Sequence, residues 1–393
     1  MPASRKLTFK DWLLGRKTFM EIQGKFADAK IFASSIEDGA INQIKNICNN
    51  SVSEGSSVRI MPDVHPGQIV PVGFTMTLGN KIMPSLTGID IGCGVTAARI
   101  AKHRGMEYKQ IDRLIRENVP AGFSIRKEQH RFADNFDFSK LFCARHIRKD
   151  KVLLSIGTLG GGNHFIEIDT DGDDFYIIVH SGSRCLGREV TEWYMNCGRN
   201  ELRNSGAQVP YELTYLEGTL MQDYLHDTET VQKYAALNRL AIIDVLAKGM
   251  KWKLDEPFSS VHNYIDFSGG ASSKPVLRKG AVSAKQGEKV IIPVNMKDGT
   301  IIGTGRGNAD WNYSAPHGSG RVMKREDVGK SFTVSTFKAE MKGIYSSCID
   351  KGTLDEAPFA YRRIDEIAPL IEPSVSIEKI LKPVYNFKAG GEA

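Results

Sequence analysis

The six cysteines of this chain, Cys48, Cys93, Cys143, Cys185, Cys197 and Cys348, include no C-x-x-C pair. That spacing excludes a zinc ribbon and argues against a disulfide framework, leaving mostly buried thiols. No run approaches the roughly 18 apolar residues that a membrane span requires. The opening "MPASRKLTFKDWLLGRK" has no long apolar stretch of the kind a secretion signal carries, so a cytoplasmic protein is expected. Repeats of fixed period, low-complexity tracts and Pro/Ser-rich linkers are also missing, and the expectation is one large domain over 1–393. Charge of one sign is scarce. A net charge of +6 permits an anionic partner such as nucleic acid or nucleotide without requiring one. What the chain does have is 41% hydrophobic residues, ample for a large core.

The patterning is β-rich at first. After an amphipathic segment near Glu37 to Asn49 come the strand-like runs "SVRIMPDV", "VPVGFTMTL", "GVTAARI" and "KVLLSIG". From 188 to about 252 the period becomes helical, with Val231, Ala235, Leu237 and Leu240 beginning an apolar packing stripe, so a mainly helical insertion is expected there. Strand-like "SSVHNYIDF", "KGAVSA" and "KVIIPV" follow, and "AYRRIDEIAPLI" reads as a last helix. The class is α+β with mostly antiparallel sheets.

Three stretches carry chemistry. In "GGGNHFIEIDTDGDDFYIIVHSGSR", two strands fold about Gly172. A symmetric register sets Phe165 opposite Val179, Glu167 opposite Ile177 and His164 opposite His180. A lone histidine on such a strand is usually a satisfied core residue. Two in register, about 5 Å apart at Cβ and flanked by glycines, point to metal. In "GIDIGCG", Asp90 and Cys93 stand three apart where glycines let the backbone bend close to a ligand, and "VHNY" adds His262 beside Asn263. Asp90, Cys93, His164, His180 and His262 are enough for two metals if the thiolate bridges them. In "HGSGR", His317 sits in a glycine-lined loop with Arg321 four residues on, suited to phosphate contact and, for a neutral imidazole, to nucleophilic attack on phosphorus. Arg184, Arg188, Arg278, Lys279, Arg321, Lys324 and Arg325 lie beside these loops, which suggests an anionic substrate and most naturally phosphate.

Taken in order, "MPDVHPG", "GIDIGCG", "GTLGGGNHFIEI", "HSGSR", "VHNY", "RKGAVSA", "HGSGR" and "AYRRIDEI" resemble the RtcB family of GTP-dependent RNA ligases, from about Met61 to Lys388. The resemblance implies joining of RNA 2′,3′-cyclic phosphate or 3′-phosphate ends to 5′-hydroxyl ends, with GTP and two Mn²⁺ ions, in tRNA splicing or repair of cleaved tRNA or rRNA. It implies an RtcB-like fold around a metal-containing cleft. Asp90, Cys93 and His164 would hold one ion, and Cys93, His180 and His262 the other. Soft-ligand rules alone would favour zinc, so manganese comes from the resemblance. His317 would carry GMP. Guanylate would be held by Asn163, His164, Phe165, Ile166 and Glu167, by His262 and Asn263, and by Pro293, Val294, Asn295, Met296 and Thr300. The loop His317, Gly318, Ser319 and Gly320 and the distant Lys388 would complete its site, with Tyr361 stacked on the base. Arg184, Lys279 and Arg321 would receive RNA phosphates. The chain departs from the family in "PVNMK" (293–297), where many members read "PGSMG", in Pro66 and Gln68, and in the five residues after Lys388. A dinuclear phosphohydrolase in which His317 only binds phosphate is the alternative.

Overall fold

The computed structural model describes residues 19–103, 105–269 and 274–389; the opening segment 1–18 lies outside them. Alternating apolar runs build two principal sheets. One has six strands in the order Met20–Ile22, Ala29–Ile31, Val58–His65, Val72–Thr77, Val276–Lys279, Asn263–Asp266. All its neighbours are antiparallel except the parallel pair Ala29–Ile31 with Val58–His65. The larger sheet is antiparallel throughout and centres on Gly94–Lys102, Phe175–Ser181, Phe165–Thr170, Val375–Lys388, Gly299–Gly305 and Lys289–Asn295. Phe258–Val261 adds to it along Gly94–Lys102.

Two long helices, Arg184–Asn204 and Gly218–Met250, occupy most of the expected helical region. The second buries more than the forecast stripe: Asn238 and Arg239, both fully buried, share its inner face with Val231, Tyr234 and Ala235. None of the helices in the described residues is long and apolar enough to cross a membrane. The segment "KVLLSIG" is not a strand. Lys149–Leu154 is a helix, because Val152 and Leu153 pack on one side while Lys149, Asp150 and Lys151 open its first turn.

The two sheets meet at His262. Its neighbours Val261 and Asn263 belong to different sheets, so the chain crosses over at this residue. His262 N–H donates to Cys93 O (2.9 Å), and Gly280 N–H donates to His262 O (2.7 Å).

Candidate active site

The histidine hairpin forms, but its register is one residue away from the symmetric one. Phe165 faces His180, Ile166 faces Val179 and Glu167 faces Ile178. The cause is the turn, in which Asp171–Asp174 close a four-residue loop through Thr170 Oγ1–H to Asp174 O (2.8 Å) and Asp174 N–H to Asp171 Oδ1 (2.9 Å). Strand pairing therefore does not bring His164 to His180. His164 precedes the strand, in a turn where Gly160 (φ 93°) and Gly162 (φ 68°) adopt left-handed conformations. A Cβ at Gly160 would collide with both His164 Nδ1 and the Arg184 guanidinium. That turn swings His164 inward until its ring centroid lies 5.0 Å from that of His180.

The donor atoms converge. Cys93 Sγ lies 3.4 Å from His164 Nε2 and 3.3 Å from His180 Nε2. His180 Nε2 is 3.2 Å from His262 Nε2, and His164 Nε2 is 3.1 Å from Asp90 Oδ2. Two trios, Asp90–Cys93–His164 and Cys93–His180–His262, each present ligand atoms within 4.8 Å of one another and share the sulfur. Outer hydrogen bonds set the tautomers: His164 Nδ1–H donates to Leu159 O (2.8 Å) and His180 Nδ1–H to Asn163 O (3.0 Å). The His164 Nε2 lone pair then faces the sulfur and the Asp90 carboxylate, and that of His180 the sulfur and His262 Nε2, an arrangement that a bound cation satisfies and a proton network does not. Burial, with neighbouring histidines, pushes His180 and His262 well below the usual imidazole range, which keeps them neutral as ligands must be.

Asp90 is placed by Gly182, where any side chain would strike its carboxylate, and accepts from Ser183 N–H (2.9 Å). Burial raises its carboxyl, but His164, Cys93 and Ser183 outweigh burial and hold it well below the usual carboxylate range. Burial and the nearby Asp90 push the Cys93 thiol up. Beneath the cluster the guanidinium of Arg239 donates to Gly92 O (2.7 Å), Ser181 O (3.0 Å) and Thr96 Oγ1 (2.9 Å). Burial lowers its pKa to about 10 against the pull of Cys93 and Asp90. Asn238 clamps the same loops, accepting from Gly157 and Thr158 N–H and donating to Gly182 O.

Asp90, Cys93, His180 and His262 line part of a cavity of about 410 Å³. Asn163, Phe165, Glu167, Asn263 and Lys279 line it, as do Pro293, Val294, Asn295 and Met296, the loop His317–Gly320, Arg321, Tyr361 and Lys388. Ile166 points into the core on the far face of its strand, and Thr300 is fully buried. Arg184 is not among the cavity-lining residues; it is anchored next to His164, its Nε–H on Thr158 Oγ1 (2.9 Å) and Nη2–H on Gly122 O (2.5 Å). Arg278 is neither surface charge nor phosphate contact. It is fully buried and bound to Asp266 (2.8 Å), Tyr264 and Ser314.

Beside His262 stands His317. Its Nδ1–H donates to Asp63 Oδ2 (2.7 Å), and its backbone N–H reaches the same oxygen (3.2 Å). Nε2 has no protein hydrogen-bond partner among the described residues, and the ring centroid is 4.8 Å from that of His262. Two acidic residues were not foreseen. Asp63 stands in the quoted "MPDVHPG", where a carboxylate on a strand gives no hint of its distant partner. Glu356 is buried between Lys388 Nζ (2.6 Å), the hydroxyl of Tyr361 (2.7 Å), Arg321 (3.4 Å) and Arg325. Burial raises the Glu356 carboxyl, but Lys388 and Arg325 prevail and hold it well below its ordinary range. Burial pushes Glu167 up to about 7, against Lys388 and the Asn386 amide.

A family model described as tRNA-splicing ligase RtcB matches residues 43–146 and 142–389. The chain is 28% identical over 372 residues to an RNA-splicing ligase RtcB of Escherichia coli K12, covering 84% of this chain and 90% of that one. A tRNA-splicing ligase RtcB of Nanoarchaeum equitans is 25% identical over 476 residues, covering 98% and 99%. With the family model spanning most of its length, the chain belongs to the RtcB family.

Proposed function

We propose that this protein is an RNA ligase that joins 2′,3′-cyclic phosphate or 3′-phosphate ends to 5′-hydroxyl ends through a covalent His317–GMP intermediate, using GTP and two Mn²⁺ ions. The observation that carries the reading is His317 itself. Its Nδ1–H is tied to buried Asp63, which leaves Nε2 as the unengaged nitrogen in a cavity shared with two trios of metal ligands. Nε2 attacks the α-phosphorus of GTP, the bond to the bridging oxygen breaks, and pyrophosphate leaves. Asp63 stabilises the cationic ring that forms. Where the end is a 2′,3′-cyclic phosphate, water first breaks its P–O2′ bond to give a 2′-hydroxyl and a 3′-phosphate. An oxygen of the RNA 3′-phosphate then displaces the imidazole, giving an RNA end capped by GMP, and the 5′-hydroxyl displaces GMP. Bound at the two trios, the ions supply charge neutralisation for the phosphates. Lys279 and Arg321, which line the cavity, and Arg184 next to His164 are the proposed receivers of RNA phosphates. Glu167 and Lys388 flank the cavity wall where a nucleobase needs polar partners, with Tyr361 beside them. Membership in the RtcB family supports this reading, and broken tRNA or rRNA in the cytoplasm is the proposed substrate.

The test is mass spectrometry after incubation with GTP and Mn²⁺. An increase of one guanylate, mapped to His317 and absent in His317→Ala, is expected. A metal-loaded protein that cleaves phosphate esters but never acquires guanylate would instead identify a dinuclear phosphohydrolase.

A further inference from the structure

Phe123 is the most exposed large apolar side chain among the described residues, at 73%. The next, Phe142, lies flat on His226 with ring centroids 4.3 Å apart, whereas Phe123 has no aromatic neighbour among the described residues. Yet its backbone is pinned. Gly122 N–H donates to Gly160 O (2.9 Å), Ala121 bridges Gly160, and Gly122 O accepts from Arg184 Nη2–H (2.5 Å). Phe123 thus follows the carbonyl that holds the Arg184 guanidinium, and Gly122 packs against Gly161 in the turn that carries Asn163 and His164. The rim between them is open, since a Cβ at Gly122 or Gly162 would meet nothing within 4 Å.

Two cations that line the cavity, Lys279 and Arg321, also have an exposed apolar side chain nearby. Ile89 (43%) precedes Asp90 near Lys279, whose Nζ reaches Thr87 O (3.3 Å), and Val322 (55%) follows Arg321. Interleaved cations and apolar faces are what single-stranded nucleic acid uses: phosphate on the charge, base on the ring.

Resting on the RNA-ligase reading, we propose that Phe123 is a stacking platform for a nucleobase of an RNA end that enters the cleft beside Arg184. A lone ring presented on a pinned loop offers far too little apolar area for a protein interface, whereas every base has a π-face that one phenyl ring matches. Recognition should therefore tolerate any base.

The experiment uses the full chain with Phe123→Ala, Phe123→Tyr and Phe123→Leu. Guanylylation by GTP without RNA is expected to be unchanged in all three. Single-turnover sealing of single-stranded RNA by the guanylylated protein should show a half-saturating RNA concentration raised about 5- to 150-fold in Phe123→Ala and Phe123→Leu. Phe123→Tyr should restore the parental value, with little change in the rate at saturation. A parental value in Phe123→Ala, or equal performance by Phe123→Leu and Phe123→Tyr, overturns stacking. Independently, Phe123→Trp fluorescence above the parent background should be quenched by a ribo-oligonucleotide without GTP. A parent that neither takes guanylate nor seals refutes the ligase reading, and this quenching then decides for or against Phe123 alone.

Discussion

Changing Asp63 to asparagine separates two things a carboxylate can do for the His317 imidazole: fix its tautomer and stabilise its positive charge. In many such pairs the amide turns its NH₂ toward the ring and enforces the wrong tautomer, which costs about 10⁴ in rate. Here the backbone N–H of His317 donates to the same Oδ2 as the ring, 3.2 Å away, so an amide is compelled to present its oxygen to both donors. The tautomer should survive in Asp63→Asn, which loses the charge and sets an NH₂ at the Oδ1 position, buried and without a partner among the described residues. A hydrogen bond to a charged group contributes about 1.5–3 kcal/mol, so guanylylation should slow about 10- to 150-fold with the half-saturating GTP concentration little changed. Asp63→Ala deletes the acceptor of both bonds and should be slower than Asp63→Asn by at least another tenfold, on the order of 1.4 kcal/mol. The assay is the initial rate of label transfer from α-phosphate-labelled GTP at saturating Mn²⁺, with circular dichroism to confirm folding. A parental rate in Asp63→Asn would show that the negative charge contributes nothing. A drop near 10⁴, equal to that of Asp63→Ala, would show that the amide had flipped and the backbone clamp does not hold.

Cys93→Ala should abolish binding at both metal positions, whereas Asp90→Ala should spare the position held by His180 and His262; normal occupancy of both in Cys93→Ala, by elemental analysis, contradicts a shared thiolate. Arg239→Met strands Gly92 O, Ser181 O and the Thr96 hydroxyl, and should lower the unfolding free energy by about 3 kcal/mol or more in urea titration. An unchanged midpoint would mean water replaces the guanidinium. Glu356→Gln leaves buried Lys388 uncompensated and should cost about 3–5 kcal/mol at pH 7. Because the folded carboxyl lies below its ordinary value, its stabilisation is full above that value and is lost as pH falls through the depressed one. Parental stability should therefore decline with acidification where the variant's is flatter, and parallel curves would exclude the linkage.

The gathering of Asp90, Cys93, His164, His180 and His262 was readable because thiolate, imidazole and carboxylate have few other reasons to stand among glycines. Even so, the route from sequence to geometry differed at the hairpin: alternation located both strands, but the Asp171–Asp174 turn fixed a register that pairing arithmetic could not supply. Asp63 and Glu356 were hidden because their partners lie about 250 and 30 residues away, at His317, Lys388 and Arg325. Arg278 and Arg239 look like surface charges in one dimension and are buried braces in three. "KVLLSIG" shows the same limit in small: four apolar residues in a short run suit a strand or a buried helical turn equally, and tertiary packing decided.

The strand Val375–Lys388 pairs with Gly299–Gly305 along one part and with Phe165–Thr170 along another, so it joins two halves of the larger sheet that otherwise lack a common edge. During synthesis those halves must wait, with edges bare, until residue 388 has cleared the ribosome. A message cut short within that strand yields a chain that has all five candidate metal ligands but neither a closed sheet nor Lys388 opposite Glu356. Such a product should be open to proteases rather than a half-active ligase.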